Sequence, residues 1–160
     1  MVKGSWIAGS SVGVALAVVF DQWSKWFFVH HQERTYGVVS GLSLDFTRNY
    51  GLAFGLSANR WVIVVISILL MGFLFWFARA EWKNAHPLAA VASLLMGVGA
   101  LSNLVDRLRF GYVVDWISVQ YWSVFNLADV WITLGAILIV IQYWKHDYGK
   151  KTKTAPPSAS

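Results

Sequence analysis

The sequence predicts an all-α integral membrane protein: four transmembrane helices, a small strand-bearing segment and a short interfacial helix outside the cytoplasm. Three observations carry this. Of 160 residues, 57% are hydrophobic and 13% charged, against about a quarter charged in a soluble domain. Apolar runs of membrane length recur at about 6–28, 61–78, 88–105 and 124–144. The polar stretch between the first two runs is glycine-bearing and rich in β-branched residues, a pattern of short strands rather than helix.

The first span, from Trp6 to Phe28, is interrupted by Asp21 and Lys25. With Lys3 and "ALA" at Ala15 to Ala17 it could pass for a cleaved signal peptide, but apolar character resumes after Asp21 and three more spans follow, so it reads as an uncleaved helix. His30 to Arg60 supplies the strands, through "YGVVSGLSLDFTRNYGLAFG". The second span, Trp61 to Ala78, contains no charge. Pro87 is placed to start the third, whose "AAVASLLMGVGALSN" is rich in the small residues that let membrane helices approach closely. "DRLRFGYVVDWISVQYWS" reads as loop and interfacial helix, and the fourth span follows. Residues 1–144 thus form one membrane domain, and 145–160 a basic, disordered tail.

An even number of spans places both termini on one side. The short loop bearing Arg79 and Lys83, with the lysine-rich tail, puts that side in the cytoplasm. The net charge of +5 forms no basic stripe with interleaved aromatics, so nucleic acid is not an expected partner, whereas membrane lipid is. The absence of cysteine excludes disulfides, thiolate zinc sites and cysteine nucleophiles. His30 and His31 lack metal spacing and no HExxH occurs, so no metal site is expected.

Polar residues inside the spans are the candidates for chemistry, because charge in hydrocarbon is costly. At 1.5 Å per residue, Asp21, Asn103 and Asp129 each lie about 22 Å into their spans, roughly 8 Å below the outer surface. Asp21 and Lys25 are spaced to pair on one helix face, a structural reading as strong as a catalytic one. Ser24 and Lys25 are neighbours that do not face each other, which argues against a serine–lysine protease. Asp106 and Arg107 fit a helix anchor and a functional role equally well.

Asp129 has no basic residue within helical reach, and Asn126 is its polar neighbour on the same face. Asp115, in "GYVVDWI", is likewise flanked by apolar residues. Two such acids near one membrane face could share a proton and activate a water. The residues alone leave three readings open: this hydrolytic dyad, a proton-relay transporter that includes Asp21, and a scaffold in which the acids are structural.

Four motifs then resemble the bacterial lipoprotein signal peptidases (signal peptidase II), which are membrane aspartic proteases. They are "DQWSK" at Asp21 to Lys25, "NYGLAF" at Asn49 to Phe54, "SNLVDRLRFGYVVDWI" at Ser102 to Ile117 and "FNLAD" at Phe125 to Asp129. They occur in the family's order and spacing and cover nearly all but the tail. The resemblance implies cleavage of prolipoproteins in the bacterial cytoplasmic membrane, N-terminal to a diacylglyceryl-modified cysteine, with no cofactor; a monomer is expected, though the sequence does not fix the oligomeric state. It implies Asp115 and Asp129 as the catalytic dyad, with Asn49, Gly51, Asn103, Arg107 and Asn126 lining or supporting the site. It gives Asp21, Lys25 and Asp106 to architecture, makes the Asn49 segment an extracytoplasmic β-cradle, and makes Asp115 to Trp122 a mobile periplasmic helix. Ser102 stands where many members carry glycine, and Trp116 where phenylalanine is usual. A GxGD motif of the presenilin-like proteases is absent.

Overall fold

A computed structural model describes residues 3–51 and 59–154. Helix α1 (Lys3–His30) leads into a hairpin of β1 (Tyr36–Val39) and β2 (Leu42–Asn49). Gly41, at φ 85°, makes the turn between them. Helix α2 (Arg60–Lys83) is capped by Asn59, whose side-chain oxygen accepts from Trp61 N at 2.9 Å. Helix α3 (Pro87–Phe110) begins at a proline, which needs no donor there, and ends at Gly111, φ 85°. Strands β3 (Val113–Val119) and β4 (Val124–Phe125) precede the last helix, α4 (Leu127–Thr154).

The sheet is antiparallel throughout, in the order β1-β2-β3-β4. Strand β3 therefore inserts beside β2, from which α2 and α3 separate it in sequence, and the register sets Asp115 opposite Thr47 and Val113 opposite Asn49. That pairing brings Asn49 next to Asp115.

Among the described residues, α2, α3 and the Leu127–Lys145 part of α4 are long and apolar enough to cross a membrane. Their outward faces carry exposed Leu69, Phe75 and Val140, as a lipid-facing surface does, while the inner contacts are small: Ala89, Ala90, Ala92, Ala100 and Ala128 are buried. At Gly99 a Cβ would collide with the Ala128 carbonyl, and at Gly135 one would meet the Ala92 carbonyl at 2.6 Å. The small-residue character of the third span is thus spent on bringing α3 against α4.

Three expectations are corrected. The segment from Asp115 to Trp122 is no interfacial helix: it is β3 followed by a turn, because the alternating, β-branched "VVDWISV" finds a free strand edge at β2. The fourth helix starts at Leu127 rather than Val124, since Val124 and Phe125 pair with Ser118 and Ile117. Beyond Trp144, α4 continues to Thr154, where an irregular tail was expected. Between Trp144 and Pro156 the sequence offers no proline to stop it. Residues 155–160, and the 52–54 part of "NYGLAF", lie outside the described residues.

Candidate active site

Asp129 owes its position to the start of α4. Asn126 is the capping residue: its Oδ1 accepts from Asp129 N at 3.0 Å, and Asp129 Oδ2 accepts in return from Asn126 N at 3.2 Å. This is a reciprocal capping box built from Asn and Asp, which satisfies two donors and fixes the carboxylate. The next free donor, Ala128 N, is taken by Asp21 Oδ1 at 2.8 Å.

Asp115 sits on β3, 1% exposed, between two amides. Asn126 Nδ2 donates to its Oδ1 at 2.6 Å and Asn49 Nδ2 to its Oδ2 at 2.8 Å. Asn126 therefore touches both acids, one through its side-chain nitrogen and the other through its backbone N–H and side-chain oxygen. On Asp129 the second oxygen, Oδ1, accepts from Asn103 Nδ2 at 2.9 Å. Every carboxylate oxygen of the pair thus accepts an N–H. Among the described residues, neither acid has a Lys or Arg nitrogen within 4.0 Å. Burial pushes the Asp115 carboxyl up to about 7; the hydrogen bond from Asn49 opposes this, the neighbouring Asp129 charge adds to it, and Asn126 and Lys25 oppose it.

Both acids line a cleft of about 1050 Å³ with Asn49, Asn103, Arg107 and Trp122. One wall is apolar, from Val130, Ile132 and Leu134 of α4. Arg107 Nη2 donates to Gly51 O at 3.1 Å, and Gly51 N to Asn49 Oδ1 at 3.0 Å, so arginine and glycine together hold the Asn49 amide over the cleft.

Behind the cleft lies a second polar cluster. Lys25 Nζ is 2.8 Å from Asp21 Oδ2, 3.0 Å from Asp106 Oδ2 and 2.8 Å from Asn103 Oδ1. All four residues are buried. Ser102 Oγ donates to Asp21 Oδ2 at 2.6 Å, Val114 N to Asp106 Oδ2 at 3.2 Å, and Gln22 Nε2 to Asp106 Oδ1 at 3.0 Å. Every site residue singled out in the sequence therefore falls in one of two adjoining groups. Gln22 and Ser102 were missed as members. The signal available was a glutamine inside an apolar run, and a serine one turn before Asp106 on the same face. The described residues include no cluster of three or more His, Cys, Asp or Glu placed to hold a metal.

Apolar helices around a cleft that holds one buried acid, Asp115, and one half-buried acid, Asp129, make a membrane protein equipped for acid–base chemistry. A family model described as Signal peptidase (SPase) II matches residues 13–145. The lipoprotein signal peptidase of Streptococcus pyogenes serotype M5 (strain Manfredo) is 35% identical over 150 residues, covering 86% of this chain and 95% of that one. The same enzyme from serotype M3 (strain ATCC BAA-595 / MGAS315) is 34% identical with the same coverage. A bacterial membrane enzyme solved in meso at 2.3 Å superposes with a TM-score of 0.80 at 29% identity, over 96% of each chain. A second, solved at 1.9 Å, gives 0.73 at 31% identity, over 84% of this chain and 92% of its own. The chain belongs to the signal peptidase II family and is a protease. That decides against the transporter and scaffold readings.

Proposed function

We propose that the chain is an aspartic endopeptidase that removes signal peptides from prolipoproteins, cutting N-terminal to the diacylglyceryl-modified cysteine, with Asp115 and Asp129 as its dyad. The observation that carries this is the pair itself: two carboxylates on one cleft, every oxygen held by an N–H and, among the described residues, neither held by a cation. Two neighbouring acids that cannot both ionise cheaply keep one proton between them. The ionised partner takes a proton from water as its oxygen attacks the scissile carbonyl carbon, and the protonated partner gives its proton to the carbonyl oxygen. Collapse of the tetrahedral intermediate breaks the C–N bond as the amine nitrogen takes up a proton from the dyad. Asn49, Asn103 and Asn126 hold the carboxylates throughout, so little reorganisation accompanies the charge movement.

The substrate's acyl chains stay in the bilayer, which the apolar α4 wall of the cleft suits. On this reading α1, 28 residues and about 42 Å long, is a fourth span. The termini lie in the cytoplasm, the sheet and dyad near the outer face of the bacterial inner membrane, and a monomer suffices because one chain supplies the whole dyad. Water is the nucleophile, so the reaction requires no cofactor.

The test is cleavage of a diacylglyceryl-modified prolipoprotein by purified protein in detergent, beside the unmodified precursor. Lipid-dependent cleavage that falls roughly 10,000-fold in Asp115→Asn and in Asp129→Asn is the expected outcome. Near-normal cleavage by either variant refutes the dyad.

A further inference from the structure

Three asparagine amides turn their NH₂ groups toward the dyad, and something must stop each from turning round. For two of them it is backbone: Gly51 N donates to Asn49 Oδ1, and Asp129 N to Asn126 Oδ1, each at 3.0 Å. The third, Asn103, is held differently. Its Oδ1 accepts from Lys25 Nζ at 2.8 Å and from Asn126 Nδ2 at 3.1 Å, while its Nδ2 donates to Asp129 Oδ1 at 2.9 Å.

An ammonium has donors only. Lys25 Nζ meets three acceptors, in Asp21, Asp106 and Asn103, and so uses all its hydrogens. A flipped Asn103 would set its NH₂ against that ammonium and its carbonyl against the Asp129 carboxylate, opposing like to like at both ends. In a buried site such a mismatch is costly. We infer that Lys25 is a positioning residue for the reaction: through Asn103 it dictates which side of the amide meets Asp129, and so keeps Asp129 Oδ1 an acceptor. The inference rests on the dyad reading above. It gives Lys25 a role beyond the ion pair with Asp21 that its spacing suggests. Asp21, bound to the same ammonium, also accepts from Ala128 N, so the cluster holds the Asp129 side chain and the backbone N–H of the residue before it.

A double-mutant cycle separates positioning from mere support. Lys25→Met and Asn103→Ala would be made singly and together, and kcat and KM measured on the lipid-modified precursor alongside thermal unfolding in detergent. Each single change is expected to lower kcat about 100-fold with little change in KM, as a displaced catalytic group does. The double variant should be no more than a few-fold slower than the slower single, because both remove one linkage. Lys25→Met combined with Asp106→Asn keeps the net charge of the Lys25 cluster; it guards against failure to fold and should show the same kcat loss. Multiplicative losses, or normal kcat in a folded variant lacking Lys25, would overturn the inference. Asp129→Asn runs as a control. Activity there would overturn the dyad reading and this inference with it, whereas an inactive Asp129→Asn beside a multiplicative cycle would overturn this inference alone.

Discussion

Two pairs of aspartates share one polar region of this protein, and they are held in opposite ways. Asp21 and Asp106 flank Lys25 at 2.8 and 3.0 Å, and their remaining bonds come from Ser102, Gln22 and the backbone of Val114 and Ala128. Among the described residues, Asp115 and Asp129 receive only amide N–H groups, from Asn49, Asn103, Asn126 and the Asn126 backbone. An acid beside a buried ammonium has its charge answered and serves to hold helices together. An acid given neutral donors is fixed in space while its proton stays exchangeable. Under the proposed dyad, the contrast teaches that the partner, not the carboxylate, separates architecture from chemistry.

That contrast is most exposed to failure in stability. Asp21→Ala removes a partner from Lys25, from Ser102 and from Ala128 N, and is expected to cost about 3–5 kcal/mol by thermal unfolding in detergent. Asp129→Asn keeps one of the two acceptor oxygens that meet Asn103 Nδ2 and Asn126 N, and should cost only about 1–2 kcal/mol. Equal destabilisation by both would erase the distinction.

Proton affinity sharpens it. The Asp115 carboxyl, pushed up to about 7 by burial and by the Asp129 charge, should titrate lower in Asp129→Asn, where that charge is gone. Carboxyl infrared bands of isotope-labelled aspartate followed against pH measure the shift. The sign for folding follows from linkage. The native state binds this proton more tightly than the unfolded chain does, so the group's contribution to stability is full below its ordinary value of 3.8 and is lost as pH rises through about 7. Cleavage should decline over the same upper limb, as the shared proton leaves.

The smallest effect concerns Ser102. Its 2.6 Å bond supplements a carboxylate oxygen already held by Lys25, so Ser102→Ala should cost about 1 kcal/mol and leave cleavage within a few-fold of normal. A large loss of activity would move Ser102 from support into the chemistry.

The sequence carried the helices well, three of which are long and apolar enough to cross a membrane among the described residues, because hydropathy and length mark such helices with little help from tertiary context. It also carried the gathering of polar residues: Asp21, Asn103 and Asp129, on three helices, meet through Lys25 and the Asn103 amide as the depth count anticipated. What it did not carry depends on partners distant along the chain. "VVDWISV" becomes a strand only because β2 offers an edge, and nothing local to Val113–Val119 reveals that. Gln22, next to Asp21, looked idle until α3 placed Ser102 and Asp106 within its reach. The capping box was legible in principle, in Asn126 and Asp129 three apart before an apolar run, but it reads first as a polar pair on a helix face.

Asp21 belongs to the first helix, yet it receives the N–H of Ala128 at the start of the last. The two residues lie 107 positions apart along the chain. A chain still on the ribosome, with three helices made and α4 still to come, holds Lys25 and Asp115 but neither Asn126 nor Asp129. Under the proposed dyad, its two acids are therefore present together only once α4 has been made.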